Sequence, residues 1–405
     1  MKPKVLFVDD ETNVLHGLAR MLRPLREKWD MAFASGGEEA LELLGQESFD
    51  VIVTDMRMPG MDGSRLLEQV MKLYPHMVRI VLSGHSDPAM ILRSVGAAHQ
   101  YLAKPCDAGL LVSTVERALS LQELFSTPRV KALVAGLGSL PSLPSLYKQI
   151  LAELQAPEPS PQKVGEIVAR DVAMTAKILQ LVNSAFFGLF REVRHPVEAV
   201  RYLGIETIKA LVLSLHLFEE LQPAPLENFC AERLWEHSFQ VARAAKRIAW
   251  GETQDPPVSE AAFTSGLLHD AGRLLLATSL PERYGLLLNK AREDREMVWQ
   301  AELAELGASH AEVGAYLLGI WGLPQDIVEA TAFHHCPSKS PTHPGGFPAA
   351  AAVHVAETLL QDPEEAFLED WKACMDQDYL MVLGRLERLP DWEGFCCEIR
   401  EKAHV

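Results

Sequence analysis

The sequence predicts two unlike parts in one chain: a doubly wound α/β domain built on a parallel sheet, followed by an all-α domain. Three observations carry this reading. Up to residue 125, short apolar runs alternate with amphipathic stretches, as strands buried on both faces alternate with the helices that cover them. Near Ser126-Thr127-Pro128 that alternation stops. Beyond it come long stretches of helical periodicity and almost nothing that reads as a strand.

Taken in order, Val5-Leu6-Phe7-Val8, Val51-Ile52-Val53, Ile80-Val81-Leu82 and Gln100-Tyr101-Leu102-Ala103 are the strands. Val14 to Leu25, Glu38 to Leu44, Leu66 to Leu73 and Leu110 to Leu124 are the intervening helices. After Pro128 a turn-rich entry, Gly136 to Pro144, leads into helical patterns over Val164 to Val182, Ile205 to Leu221, Ala231 to Trp250, Glu260 to Ala277 and Ala311 to Gly319. Gln254-Asp255-Pro256-Pro257 and Pro341-Thr342-His343-Pro344-Gly345-Gly346 punctuate them. The expected division is 1–125 for the α/β domain, 126–135 for a linker, 136–360 for the helical domain and 361–405 for its helical extension.

Composition narrows the function classes. The chain has 405 residues, 48% hydrophobic and 23% charged, so a largely disordered protein is excluded. Its net charge is −17, and both parts are acidic: −4 over residues 1–125 and −13 over the remainder. Holding nucleic acid by phosphate neutralisation, or an anionic membrane by basic residues, does not fit. No run approaches the roughly 18 apolar residues of a membrane span, and MKPKVLFVDDETN turns acidic too early for a signal peptide. Six cysteines without a CxxC pair or a regular framework point to reduced thiols in a cytoplasm.

In a parallel sheet, functional groups gather beyond the C-terminal ends of strands. Asp9 and Asp10 follow the first strand, Asp55 follows a central one, Ser83 another, and Lys104 the last. Carboxylates brought together repel unless a cation sits among them, and oxygen-only ligands in a wet site favour Mg²⁺. An ammonium and a hydroxyl opposite them suit the oxygens of an added phosphoryl group, so the chemistry is attack by a carboxylate on a phosphoryl donor. At these residues, and over essentially all of 1–125, the segment resembles the receiver domain of two-component response regulators, a five-stranded fold. The resemblance rests on Asp9-Asp10, on Asp55 within Val53 to Gly63, on Ser83 and on Lys104-Pro105. It implies Asp55 as phosphoacceptor, Asp9, Asp10, Asp55 and the Arg57 carbonyl around Mg²⁺, and Ser83 and Lys104 on the phosphoryl group. It also implies a switch role for Tyr101 and a cis Lys104–Pro105 bond.

The second part concentrates histidines beside apolar stretches: His237, His269-Asp270, His310 and His334-His335. The His269-Asp270 pair falls in an otherwise buried helical pattern. Burying imidazole with carboxylate is costly unless they pair or bind a metal. This donor set suits Fe, Mn or Zn. The region resembles the HDOD family, a relative of HD-type phosphohydrolases, over about residues 130–360. The matching stretches are Leu140 to Pro144, Val182 to Gly188, Ala199 to Gly204, Leu234 to Ser238, Gly266 to Asp270 and Trp321 to Pro324. His237, His269, Asp270, His310, His334 and His335 match the HD histidines and aspartate. Glu357 stands where that pattern ends in aspartate, Arg273 where it has lysine, and Cys336-Pro337-Ser338-Lys339 follows the histidine pair instead of a Gly-Tyr-Pro signature. A metal centre and a hydrogen-bonded core both remain open on these residues.

The function these resemblances imply is a response regulator. A sensor histidine kinase phosphorylates Asp55, and an HDOD output domain acts through protein or small-ligand contacts rather than on DNA. A homodimer is left open. The alternative is a receiver-gated, metal-dependent phosphohydrolase, against which the three departures count.

Overall fold

The computed structural model describes residues 2–84, 97–124, 134, 144–156, 158–184, 191–205, 207–208, 229–340, 346–361 and 374–403. Strands β1 (Lys4–Val8), β2 (Asp30–Ala34), β3 (Val51–Asp55), β4 (Val78–Gly84) and β5 (Gln100–Lys104) form one sheet in the order β2-β1-β3-β4-β5. Every pairing is parallel, with Val5 opposite Val51 and Val51 opposite Val78. All of β3 is buried, which is why it reads as an unbroken apolar run. Strand β2 has no such signature. It lies at the sheet edge with only Ala34 fully buried, so its sequence needs no apolar core pattern.

The flanking helices are α1 (Thr12–Met21), α2 (Gly37–Gln46), α3 (Gly63–Leu73) and α4 (Ala108–Leu124). The helix predicted over Val14 to Leu25 stops at Met21, and a 3-10 turn over Arg23–Leu25 follows, because Pro24 cannot continue an α-helical ladder.

The helical part comprises α5 (Pro144–Leu154), α6 (Pro161–Val168), α7 (Val172–Val182), α8 (Pro196–Leu203), α9 (Ala231–Thr253), α10 (Pro256–Leu268) and α11 (Ala271–Ser279). It continues with α12 (Pro281–Asp294), α13 (Val298–Leu306), α14 (His310–Ile320), α15 (Gln325–Phe333), α16 (Ala349–Leu360), α17 (Gln377–Val382) and α18 (Leu389–Ala403). Two expected helices are each broken in two. Val164 to Val182 divides at Asp171, whose carboxylate caps α7 by accepting from the Met174 N–H at 2.8 Å. Glu260 to Ala277 divides at His269-Asp270, so that pair lies at a junction between helices rather than within one. Most of Ile205 to Leu221 and all of Asp362 to Asp370 lie outside the described residues, as does Pro128 in the linker.

Glycines permit the closest approaches. A Cβ on Gly266 would lie 2.8 Å from the Ala242 Cα, so α9 and α10 meet backbone to backbone there. A Cβ on Gly272 would lie 2.0 Å from the His310 carbonyl oxygen, which fixes α11 against the start of α14. One apolar core runs from the sheet into the helices as far as Trp321 and Val328. A second lies among α9, α10, α16 and α18. No helix among the described residues is long and apolar enough to cross a membrane.

Candidate functional site

Two clusters of ionisable side chains are built by this fold. The first lies where β1, β3 and β5 end. Asp9 and Asp55 are buried, at 1% and 7% exposure, and Lys104 Nζ lies between them, 2.6 Å from Asp9 Oδ2 and 2.5 Å from Asp55 Oδ1. Backbone N–H groups orient both carboxylates: Glu11 donates to Asp9 Oδ1 at 3.0 Å and Arg57 to Asp55 Oδ2 at 2.8 Å. Burial works against the charge of Lys104, yet the hydrogen bonds it donates to Asp55 and Asp9, and their charges, hold its ammonium above the ordinary lysine value. Gly63 is required here, since a Cβ on it would lie 2.1 Å from the Asp55 carbonyl oxygen. Asp10 is exposed at the rim, and Tyr101 is buried in β5 at 1% exposure. The Ser83 backbone pairs with Ala103, while its side chain lies outside the described residues. The Lys104–Pro105 bond is cis. The ligand atoms beside the Lys104 ammonium are carboxylate oxygens, and this donor chemistry fits Mg²⁺.

The second cluster joins six helices. His237 comes from α9, His269 and Asp270 from the α10–α11 junction, His310 from the first turn of α14, His334 and His335 from the end of α15, and Glu357 from α16. His237 Nε2 lies 2.6 Å from Glu357 Oε2, and His269 Nε2 lies 3.1 Å from the same oxygen. Asp270 faces two ways, with Oδ2 at 3.6 Å from His269 Nε2 and Oδ1 at 3.1 Å from His310 Nε2. His310 Nε2 and His335 Nε2 are 3.0 Å apart.

The tautomers follow from the carbonyls behind the rings. His269 Nδ1 donates to the Gly266 carbonyl at 2.7 Å and His334 Nδ1 to the Thr331 carbonyl at 2.8 Å, so each ring turns its Nε2 into the cluster. Both Nε2 atoms are buried and make no well-aligned hydrogen bond among the described residues, although that of His269 lies 3.1 Å from Glu357 Oε2. Among the described residues three sets of ligand atoms, His237/His269/Glu357, His269/Asp270/His334 and His310/His334/His335, lie each within 4.8 Å. Poorly satisfied Nε2 atoms facing carboxylate oxygens are what a bound cation would relieve, and imidazole with carboxylate suits Fe, Mn or Zn.

Protonation states agree. Burial, reinforced by the neighbouring His269 and His310, pushes His334 down to about 3, and burial with His334 lowers His335 further below its ordinary value. Burial alone would neutralise Asp270 and Glu357, but His269, Arg273 and His310 hold Asp270 ionised, and His237 and His269 do so for Glu357. Neutral imidazoles and ionised carboxylates are ligand forms, so His334, His335, Asp270 and Glu357 stand ready for a cation, whereas His310 is held protonated and must give up its Nε2 proton to ligate one.

Glu302 was not singled out by sequence. On α13, at 0% exposure, its Oε2 accepts from His310 Nδ1 at 2.7 Å and from the His310 backbone N–H at 2.6 Å. Its Oε1 accepts from the Tyr284 hydroxyl at 2.8 Å. Burial opposes the charge, but Glu302 and Asp270 raise His310 to about 10. Trp299 stacks on His335 with centroids 5.5 Å apart. His354 donates from Nδ1 to the His334 carbonyl at 2.7 Å.

Comparison with known proteins places both parts. The response regulator receiver domain family matches residues 5–116, and the HDOD domain family matches residues 140–337. This chain carries a response regulator receiver domain followed by an HDOD domain. An uncharacterized protein of Treponema pallidum is 27% identical over 55% of this chain and 42% of its own length. The hydrogenase transcriptional regulatory protein HoxA of Cupriavidus necator is 38% identical over 30% of this chain and 25% of its own. The chain thus spans less than half the length of these curated relatives. Among solved structures, the MmoQ response regulator of Methylococcus capsulatus is 27% identical, covering 60% of this chain and 98% of that one, with a TM-score of 0.47. A virulence factor of Campylobacter jejuni shares the fold at 19% identity, covering 64% of this chain and 93% of that one, with a TM-score of 0.51. In this receiver–HDOD chain all seven sequence-singled HD-type residues converge, Glu357 included. Arg273, which replaces the lysine, donates to Asp270 Oδ2 at 3.4 Å.

Proposed function

We propose that this response regulator is phosphorylated on Asp55 by a histidine kinase and that the modification changes how its HDOD domain is presented to a protein or small-ligand partner. The observation that carries this is the seating of Asp55, oriented by the Arg57 N–H and faced by Lys104, at the C-terminal edge of the sheet. Mg²⁺ held by Asp9, Asp10, Asp55 and the Arg57 carbonyl would neutralise charge on the incoming phosphoryl group. Lys104 would then exchange its present carboxylate contact for a phosphoryl oxygen. Incubation with acetyl phosphate and Mg²⁺ should label the wild-type chain stoichiometrically and leave Asp55→Asn unlabelled. Persistent labelling of that variant would remove Asp55 as acceptor.

A second reading is favoured by the poorly satisfied Nε2 atoms of His269 and His334: the HDOD domain holds Fe, Mn or Zn and acts on a phosphoester. A bound ion would supply Lewis-acid polarisation of a phosphoester oxygen. Around it, Asp270 and Glu357 would provide charge, Glu302 would orient His310, and the Arg273 guanidinium would hold Asp270. Metal analysis of the purified chain tests this reading. Stoichiometric metal lost in His269→Ala and Asp270→Ala supports it, and a metal-free wild type that still signals with both residues changed removes it.

A further inference from the structure

Helix α14 belongs to two sites at once. Its first residue, His310, is a member of the imidazole–carboxylate cluster. Its last residue, Ile320, accepts through its carbonyl from Gln100 Nε2 of β5 at 3.0 Å. Just beyond it the Leu323 carbonyl accepts from the Arg117 guanidinium of α4. The helix has 11 residues, which at ~1.5 Å per residue carry it roughly 16 Å. Part-way along, Gly314 meets Gly272 backbone to backbone, so α14 has no freedom to slide without moving α11 and the adjoining Asp270.

The other end of this connection is the phosphoacceptor. Strand β5 begins at Gln100, which holds α14, and ends at Lys104, whose Nζ is 2.5 Å from Asp55 Oδ1. A phosphoryl group on Asp55 would draw this ammonium from the carboxylate onto its own oxygens, and so would change the load carried at the end of β5. His99, immediately before that strand, is fastened as well: its carbonyl accepts from Gln180 of α7 at 2.7 Å. The α/β and helical parts therefore meet along one fastened line from Asp55 to His310.

We infer that phosphorylation of Asp55 and metal binding at the His/Asp/Glu cluster are coupled through α14. This rests on the metal reading of the cluster given above. The cluster is assembled with Gln100 and Arg117 seated on α14, so loosening that seat weakens the cluster's hold on metal. Linkage requires the reverse with the same factor: metal binding disfavours the phosphorylated receiver.

The test is calorimetric titration of the full chain with Zn²⁺, which imidazole ligands favour over the oxygen-only receiver pocket, in excess Mg²⁺ with and without beryllium fluoride as phosphoryl mimic. The Zn²⁺ dissociation constant should rise at least about fivefold with the mimic, the lower bound of ordinary allosteric coupling. Asp55→Asn should not respond to the mimic. A Gln100→Ala/Arg117→Ala double variant should bind Zn²⁺ with no response either. Equal affinity in both states of the wild type overturns the coupling while leaving the metal site standing. Failure to bind Zn²⁺ in any state, with His310→Ala indistinguishable from wild type, overturns the metal reading and the coupling with it.

Discussion

Glu302 decides the state of His310. With its Oε2 on both the Nδ1 and the backbone N–H of that histidine, it fixes the ring and leaves Nε2 directed at Asp270. Carboxylates behind a ligating imidazole commonly change metal affinity 10–100-fold. Glu302→Gln, of equal size, should therefore weaken Zn²⁺ or Mn²⁺ binding by about that factor with a small change in melting temperature; an unchanged affinity would show Glu302 to be structural alone. His334 sets a pH dependence. Its folded value of about 3 lies below the ordinary 6.5, so the unfolded chain takes up a proton that the folded chain refuses. Stability of the metal-free protein should then fall as pH drops from about 6.5 toward 3, and His335, Asp270 and Glu357, all held low, act in the same direction. His310, raised to about 10, acts oppositely: its contribution is complete below 6.5 and disappears as pH rises through 10. Chemical denaturation of chelator-treated protein from pH 7 to 4 measures the acid limb, which His334→Gln should flatten.

At the scale of elements, the α10–α11 junction makes the cluster possible. Ending α10 at Leu268 and restarting at Ala271 frees His269 and Asp270 from helical spacing and lets both face inward. Gly272 then allows α11 to touch the His310 carbonyl. Gly272→Ala would force α14 away, costing about 1–3 kcal/mol as overpacking usually does. Metal titration of that variant should show a loss larger than its melting shift explains, because His310 moves from Asp270. These contacts bear on what the sequence discloses. The central strands were legible because β1 and β3 are buried on both faces, and the site residues because they follow strand ends or pair as His-Asp and His-His. The edge strand β2 was not, since an edge needs no apolar run. The helix break at His269 was not, because an apolar pattern continues across it. Nor was Glu302, whose burial is justified only by His310 and Tyr284 brought from α14 and α12.

At the scale of the whole molecule, the charge of −17 and the shared core point the same way. An acidic output part is a poor match for phosphate backbones, and the core shared by the sheet and the helices joins the two parts by packing. That packing is centred on Trp321, 1% exposed, between the Ile320 and Leu323 carbonyls that hold Gln100 and Arg117. Lys177 Nζ of α7 lies over its ring, 4.8 Å from the centroid. On the receiver side Arg79, at 0% exposure, is held by the Ala97 carbonyl at 2.5 Å and by His99 Nε2 at 2.9 Å. Burial lowers this guanidinium to about 9, a cost sustained only while the surrounding groups stay in place. If the sheet and the helices share one core, damage to Trp321 should be felt on both sides. Trp321→Ala should cost about 3–5 kcal/mol and reduce amide-exchange protection in β4, β5 and α4 as well as in α14. Loss of protection confined to α14 and its helical neighbours, with the sheet unchanged, would mean that the two parts unfold independently and that α14 is seated on the receiver without sharing its stability.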